Sequence, residues 1–466
     1  MAAVTKPDKM LGGARFLVRL FFRAFPELRR DIMETEQTFT RGPILSTLLK
    51  FALPVLLALL LQAMYGAVDL QVVGKFGTAA DISAVSTGSQ IMQTVTSLIT
   101  GLAMGITILV GQKIGEKRPE QAGDVIGSGI CLFGVLAAVL TVLMILGAGF
   151  LAGLMHAPDE AFSQTVDYIR ICSAGAVFII AYNVLGSIFR GIGDSRMPLF
   201  TVAAACVFNI GGDLLLVAGF HMGAAGAALA TVFGTVIACL MSILSVMKRD
   251  NFVSIPFIIK EKVRVTLEPA KNMFKVASSV FVEQIFMRIG FLTVSIMVAK
   301  LGTDAFAAHQ VGMNVMSLSF SFGDGMQVAA VALCGRSLGE KRPDLAQMYG
   351  TICQRIGNMI SIVLAVLYTT LGTWYFHLFF DEPHLVAMGV EITRVLTFIV
   401  LLQIAQVIYM GCLRGAGDVV FTTIASTISI TFVRPILSYV FCYACGLGLV
   451  GIWLGILCLL YTSDAA

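Results

Sequence analysis

The chain has 466 residues, of which 57% are hydrophobic and 13% charged. That is about half the charged fraction of an ordinary soluble domain, which excludes a soluble enzyme, and it is apolar enough for about twelve or thirteen helices of roughly 20 residues across a bilayer. A net charge of +4 carries no nucleic-acid signal in its total, so the information lies in where the basic residues fall.

At the start of the chain, Arg15, Arg19 and Arg23 recur every four residues beside Phe16, Leu17, Leu20 and Phe21. This reads as a basic amphipathic helix on the membrane surface, or as an upstream extension if translation begins at Met33. It lacks the apolar core and small-residue cleavage site of a signal peptide. Apolar runs bounded by Gly, Pro or charge then predict spans at 45–72, 82–112, 122–154, 162–189, 198–220 and 223–247. A polar, basic stretch follows, and further spans are predicted at 272–299, 305–334, 346–380, 385–413, 419–445 and 449–460. The last is short, and residues 461–466 read as a truncated or foreign end. The expected organisation is therefore a cytoplasmic segment over 1–42, an N-terminal lobe over 43–247, a linker over 248–271 and a C-terminal lobe over 272–466.

The two lobes repeat the same words in register. GEKRP stands at 115–119 and at 339–343, an offset of 224 (339 − 115), and RGxGD at 190–194 and 414–418 has the same offset. Lys75-Phe76-Gly77-Thr78 matches Lys300-Leu301-Gly302-Thr303 with an offset of 225 (300 − 75), one residue being lost in the loop that follows. An even number of spans separates the copies, so both run the same way through the bilayer. The expected fold is an all-α polytopic membrane protein, twelve transmembrane helices in two six-helix lobes related by a parallel pseudo-twofold repeat. Lys and Arg concentrate in the loops holding Lys117, Arg118, Arg190, Arg196, Lys341, Arg342 and Arg414 and in the linker, which places both termini in the cytoplasm of a plasma-membrane protein.

Enzyme-like spacings do not survive their context. Gly335-x-Ser337-x-Gly339 follows an apolar helix, not a strand, and its repeat partner carries Lys113 at the serine position, so it is no nucleophile elbow. Gly446-x-Gly448-x-x-Gly451 joins two apolar helices outside any βαβ unit. The ten cysteines are scattered along apolar segments as small hydrophobes, and the five histidines have no ligand spacing. Neither catalytic residues nor a cofactor are expected.

The informative residues are carboxylates inside spans, each costing about 2.5–3.5 kcal/mol at a helix centre unless a partner or water compensates it. Asp69, Asp213 and Glu283 qualify. Asp69 and Asp213 lie within roughly 5 Å of the same depth. Asn209 stands one turn before Asp213 on the same face, and its amide oxygen beside a carboxylate suits a hard cation or a proton. The repeat is an internal control: Asp69, Asn209 and Asp213 map to Val294, Val433 and Leu437, and Glu283 maps to Ala58. A group demanded by the scaffold would be duplicated, and these are not. Gln62, Tyr65, Gln284, Asn314, Gln403, Gln406 and Arg434 are further polar residues in spans that line a central cavity or bond between helices. Pro54 lacks an N–H within the first span and marks a bend or hinge.

These residues resemble the multidrug and toxic compound extrusion (MATE) family over nearly the whole of 41–460. The resemblance rests on Pro54 with Val68-Asp69, the paired GEKRP and RGxGD loops, Asn209-x-x-x-Asp213, and Ala230-Thr231 after a Gly-Ala-rich turn. It implies a two-lobed, twelve-helix antiporter, expected as a monomer in the lipid bilayer, exporting small organic cations or drugs in exchange for H+ or Na+. It further implies a cation site, Na+ among its possible ions, at Asp69, Asn209, Asp213 and Thr231, with Glu283 as the acid of the seventh helix. At Gln403 the chain departs from the sodium-driven NorM-like pattern, which has an aspartate there, and looks closer to DinF-like members. The alternatives are a flippase for lipid-linked saccharides, for which Arg288 and Arg434 are the available cations, and a polytopic membrane enzyme.

Overall fold

The computed structural model describes residues 44–155, 157–248 and 267–464. The amphipathic segment at 15–23, most of the basic linker and the final two residues lie outside them. Every described element is helical. The chain divides into two compact units, one through Met273 and one from Phe274 onward, with residues 115–117 grouped with the second.

The first unit contains α1 (Ile44–Phe76), α2 (Ala79–Gly115), α3 (Pro119–Leu154), α4 (Phe162–Ala174), α5 (Ala176–Ile192), α6 (Arg196–Asp213), a π-helical turn (Leu214–Gly219) and α7 (Gly223–Lys248). The second contains α8 (Leu267–Ala299), α9 (Thr303–Gly339), α10 (Pro343–His377), α11 (Pro383–Gly415) and α12 (Val419–Thr427). It ends with π turns at Ile428–Val433 and Val440–Ala444 flanking α13 (Arg434–Tyr439), and then α14 (Gly448–Asp464). Among the described residues, ten helical stretches are long and apolar enough to cross a bilayer, or eleven if the bent pair α4–α5 is one span, and α14 includes a shorter apolar helix.

The run at 162–189, expected as one span, is broken: α4 and α5 meet at 50° around Gly175. A β-carbon there would lie 2.7 Å from Val232 of α7, so the glycine lets α7 approach the bend. Proline starts α3, α10 and α11, where its missing N–H is not needed. Within α1 the helix is continuous across Pro54.

The repeated words encode repeated backbone. In GEKRP, Lys117 and Lys341 both adopt a positive φ of 58°, the left-handed conformation that closes the turn before the helix-starting proline. In RGxGD, Gly193 (φ 92°) and Gly417 (φ 93°) take the left-handed conformation that glycine adopts without a steric penalty. The following aspartates accept backbone N–H bonds at the next helix start, Asp194 from Arg196 and Met197 and Asp418 from Phe421. Both words are turn-and-cap devices.

In the second unit α11 packs against α9 and α10. The α9–α11 contact is close because Gly335, Gly411 and Gly415 leave the facing backbones room. A β-carbon on Gly411 would stand 2.8 Å from the Gln327 carbonyl oxygen, whereas one on Gly66 of α1 meets nothing within 4 Å. Gly411→Val is therefore expected to lower unfolding stability in detergent by about 1–3 kcal/mol through overpacking, while Gly66→Ala is neutral or slightly stabilising. Thermal melts of the two variants check the contrast.

Candidate functional site

In the first unit α6 packs on α1 and α7. Small residues set the α6–α7 distance: a β-carbon on Gly212 would fall 2.9 Å from Ala230, and one on Gly234 would fall 2.7 Å from the Ala205 carbonyl oxygen. This approach brings Asn209 and Asp213 of α6, Thr231 of α7 and Asp69 of α1 together. All four residues expected to form a cation site are thus in one place.

Asn209 Nδ2 donates to Thr231 Oγ1 at 3.3 Å, and Thr231 Oγ1 donates to Asp69 Oδ2 at 3.2 Å. The carboxyls of Asp69 and Asp213 are neighbours. Asp213 is fully buried, and Asp69 and Asn209 nearly so. Among the described residues, Asp69 Oδ1, Asn209 Oδ1 and both carboxylate oxygens of Asp213 have no hydrogen-bond donor, and neither carboxylate has an ion-pair partner. The π turn begins immediately after Asp213, a helix defect of the kind that gathers at functional sites.

Two adjacent carboxylates, buried and without a basic partner, are a poor structural device, because the Thr231 hydroxyl on Asp69 offsets little of their desolvation. They are a good receptor for positive charge. Four unsatisfied oxygens from two carboxylates and an amide fit a proton or a small hard monovalent cation. Beside them lies a cavity of about 40 Å³ lined by Gln62, Tyr182, Asn209, Thr231 and Thr235, among others. That is room for one or a few waters, far below the roughly 300 Å³ of the smallest pockets for drug-sized ligands. Gln62 Nε2 donates to Tyr182 Oη there at 3.3 Å. Tyr65 falls in α1, and its side chain lies outside the described residues.

The polar residues of the second unit separate. Glu283 of α8 is paired: Arg414 Nη2 donates to its two oxygens at 2.6 and 2.7 Å, and Arg414 also reaches Thr422. The sequence reading assigns Arg414 to a cytoplasmic loop, yet it is buried at the end of α11. Gln403 is buried with both amide atoms unpartnered, Gln284 and Gln406 are half-buried, and Asn314 is exposed. Arg434 is buried over the Phe291 ring at 4.5 Å, with its Nε and Nη2 lacking acceptors. Asp324 lies mid-way along α9, an in-span carboxylate by the same criterion as Glu283. Ser337 donates to the Leu333 carbonyl within α9, and Gly446 and Gly448 form a left-handed turn before α14, so neither enzyme-like spacing builds a site.

A bundle of apolar helices around a buried acid pair with no basic partner is the arrangement of a membrane transporter. The MatE family model matches residues 54–215 and, a second time, residues 279–440, and the chain belongs to that family of multidrug and toxic compound extrusion transporters, which are not enzymes. It is 24% identical over 421 residues to the "Probable multidrug resistance protein NorM" of Thermotoga maritima, covering 88% of each chain. It is 23% identical to the "Multidrug export protein MepA" of Staphylococcus aureus, covering 87% of this chain and 89% of that one. Among solved structures, a MATE protein in a bent conformation superposes with a TM-score of 0.86 at 21% identity, over 93% of this chain and 95% of that one. Another in an outward-facing conformation gives 0.85 over 92% and 95%.

The Glu283–Arg414 pair holds α8 to α11 within one unit. Breaking it from one side leaves a buried ion alone, so Glu283→Gln and Arg414→Gln are each expected to cost about 3–5 kcal/mol, with the double variant costing far less than the sum. A double-mutant cycle of unfolding stability checks this, and additive losses would refute the pairing as the cause.

Proposed function

We propose that this protein is a secondary active exporter of small organic cations or drugs, driven by inward movement of H+ or Na+ through alternating access. The observation that carries the reading is the acid pair Asp69–Asp213, whose three free carboxylate oxygens and the free Asn209 amide oxygen are buried without a donor. The coupling ion enters as a substrate, held by Asp69, Asn209 and Asp213 with Thr231 orienting Asp69. Its arrival removes the repulsion between the carboxylates and draws α1 toward α6, and its departure restores that repulsion, so occupancy changes how α1 packs. Pro54, fifteen residues before Asp69, lacks the N–H that would hold the preceding turn and is the hinge at which α1 responds.

The twelve-span, two-lobed parallel architecture, plasma-membrane location, cytoplasmic termini and monomeric state belong to the same reading. So does a closer kinship with DinF-like members, on the ground of Gln403. The printed names of the relatives support drug export, and solved members described as bent, straight and outward-facing support more than one conformation for this fold. One observation favours a second reading: Arg434, buried with no carboxylate partner among the described residues, suits the phosphate of a lipid-linked saccharide and hence a flippase.

In proteoliposomes with Na+ and pH gradients imposed separately, one gradient is expected to drive ethidium transport. Asp69→Asn and Asp213→Asn should each reduce it by about tenfold or more at matched protein content. Wild-type rates in Asp69→Asn would overturn the ion-site assignment. Translocation of a lipid-linked saccharide, with no gradient-driven ethidium transport, would decide for the flippase.

A further inference from the structure

A membrane helix turns apolar side chains to lipid, because hydrocarbon offers nothing to a polar group. On α9 a polar stripe runs along the accessible face between the exposed Phe306 and mid-helix, with Leu318 at its edge. Gln310, Asn314, Ser317, Ser321 and Asp324 follow one another at alternating steps of four and three residues, so they lie on one face over about 21 Å. All are exposed except Ser321, which is half-buried. By contrast, the accessible face of α10 carries Met359, Ile362, Val363 and Val366, as lipid requires.

The repeat offset of 224 maps this stripe onto Ser86, Gln90, Gln93, Ser97 and Thr100 of α2, polar at every position and exposed or half-buried throughout. A polar face kept in both copies at all five positions is a requirement of the scaffold, and hydrocarbon cannot satisfy it. Charge is not kept. Thr100, the counterpart of Asp324, is neutral and hydrogen-bonded to Asn183 at 2.9 Å. Asp324 has no hydrogen bond or ion pair among the described residues, and Arg414, whose field reaches it, is already neutralised by Glu283. The stripe thus ends in one net negative charge near the middle of a span.

We infer that the polar face of α9 lines the aqueous substrate path and that Asp324, in place of the paired Glu283, is the carboxylate that binds the positive charge of an organic cation. This rests on the export reading above. Asp324 is the one stripe residue able to form a charge-assisted contact, while the amides and hydroxyls of Gln310, Asn314, Ser317 and Ser321 keep the approach hydrated without fixing any one substrate shape.

The test uses the full chain in lipid nanodiscs, with cysteine replacements made in a parent lacking the exposed Cys131 and Cys445. Asn314→Cys and Ser317→Cys are expected to react with a membrane-impermeant, charged methanethiosulfonate, and Val363→Cys, on the apolar face of α10, is not. Bound ethidium should slow the reaction at Ser317→Cys. Asp324→Asn should weaken ethidium binding by about tenfold or more, with Asp324→Glu recovering most of it; recovery separates loss of charge from misfolding. Labelling at Asn314 and Ser317 no faster than at Val363 would overturn the aqueous face. Wild-type ethidium affinity in Asp324→Asn would overturn its role as the binding carboxylate. If the wild-type protein labels as expected but neither binds nor transports ethidium, the export reading and the role of Asp324 in it fail together, and the aqueous face stands.

Discussion

Hydrocarbon cannot hydrogen-bond, and this chain is organised by that fact. Every described element is helical, so along the spans the main chain satisfies itself, and each buried charge must find a partner, water or a transported ion. The two units answer differently. In the second, Glu283 and Arg414 neutralise each other across α8 and α11, and Arg434 rests on the face of Phe291. In the first, Asp69 and Asp213 have only each other and a short relay through Thr231 and Asn209. One acid is paired completely and two others are left bare, and that contrast is what the proposed ion coupling would use.

Small residues make that arrangement possible. Gly212, Gly234 and Ala230 bring α6 onto α7 so that short side chains reach across the interface, and Gly335, Gly411 and Gly415 do the same for α9 and α11. Packing distance and chemistry are coupled here: a bulkier residue at Gly212 would push α6 from α7 at Ala230 and pull Asn209 away from Thr231.

What the sequence makes legible follows from the range of the interactions involved. Turn and cap signals are local, so GEKRP and RGxGD identify both the duplication and the helix boundaries, and the backbone angles at Lys117, Lys341, Gly193 and Gly417 supply their physical content. The acids of the first unit are also legible, because an in-span carboxylate without a duplicate stands out against a repeat. Long-range partnership is not. Arg414 reads as one more loop cation, since its partner Glu283 lies 131 residues away. The break at Gly175 is hidden in an apolar run where glycine is common, because its cause is the approach of Val232 from another helix. Asp324 is hidden differently: the polar residues around it weaken the apolar signal of its own span, and what distinguishes it is the pattern on its face.

The bare acid pair also has an electrical consequence. Charge held between the two faces of a membrane sits in the transmembrane field, where moving one elementary charge through 100 mV is worth about 2.3 kcal/mol. A pair of carboxylates that is empty, singly filled or fully neutralised presents a different charge to that field in each state. If the pair takes up the coupling ion as proposed, membrane voltage biases occupied and unoccupied forms unequally, and the number of positive charges accepted per cycle sets whether transport generates a current.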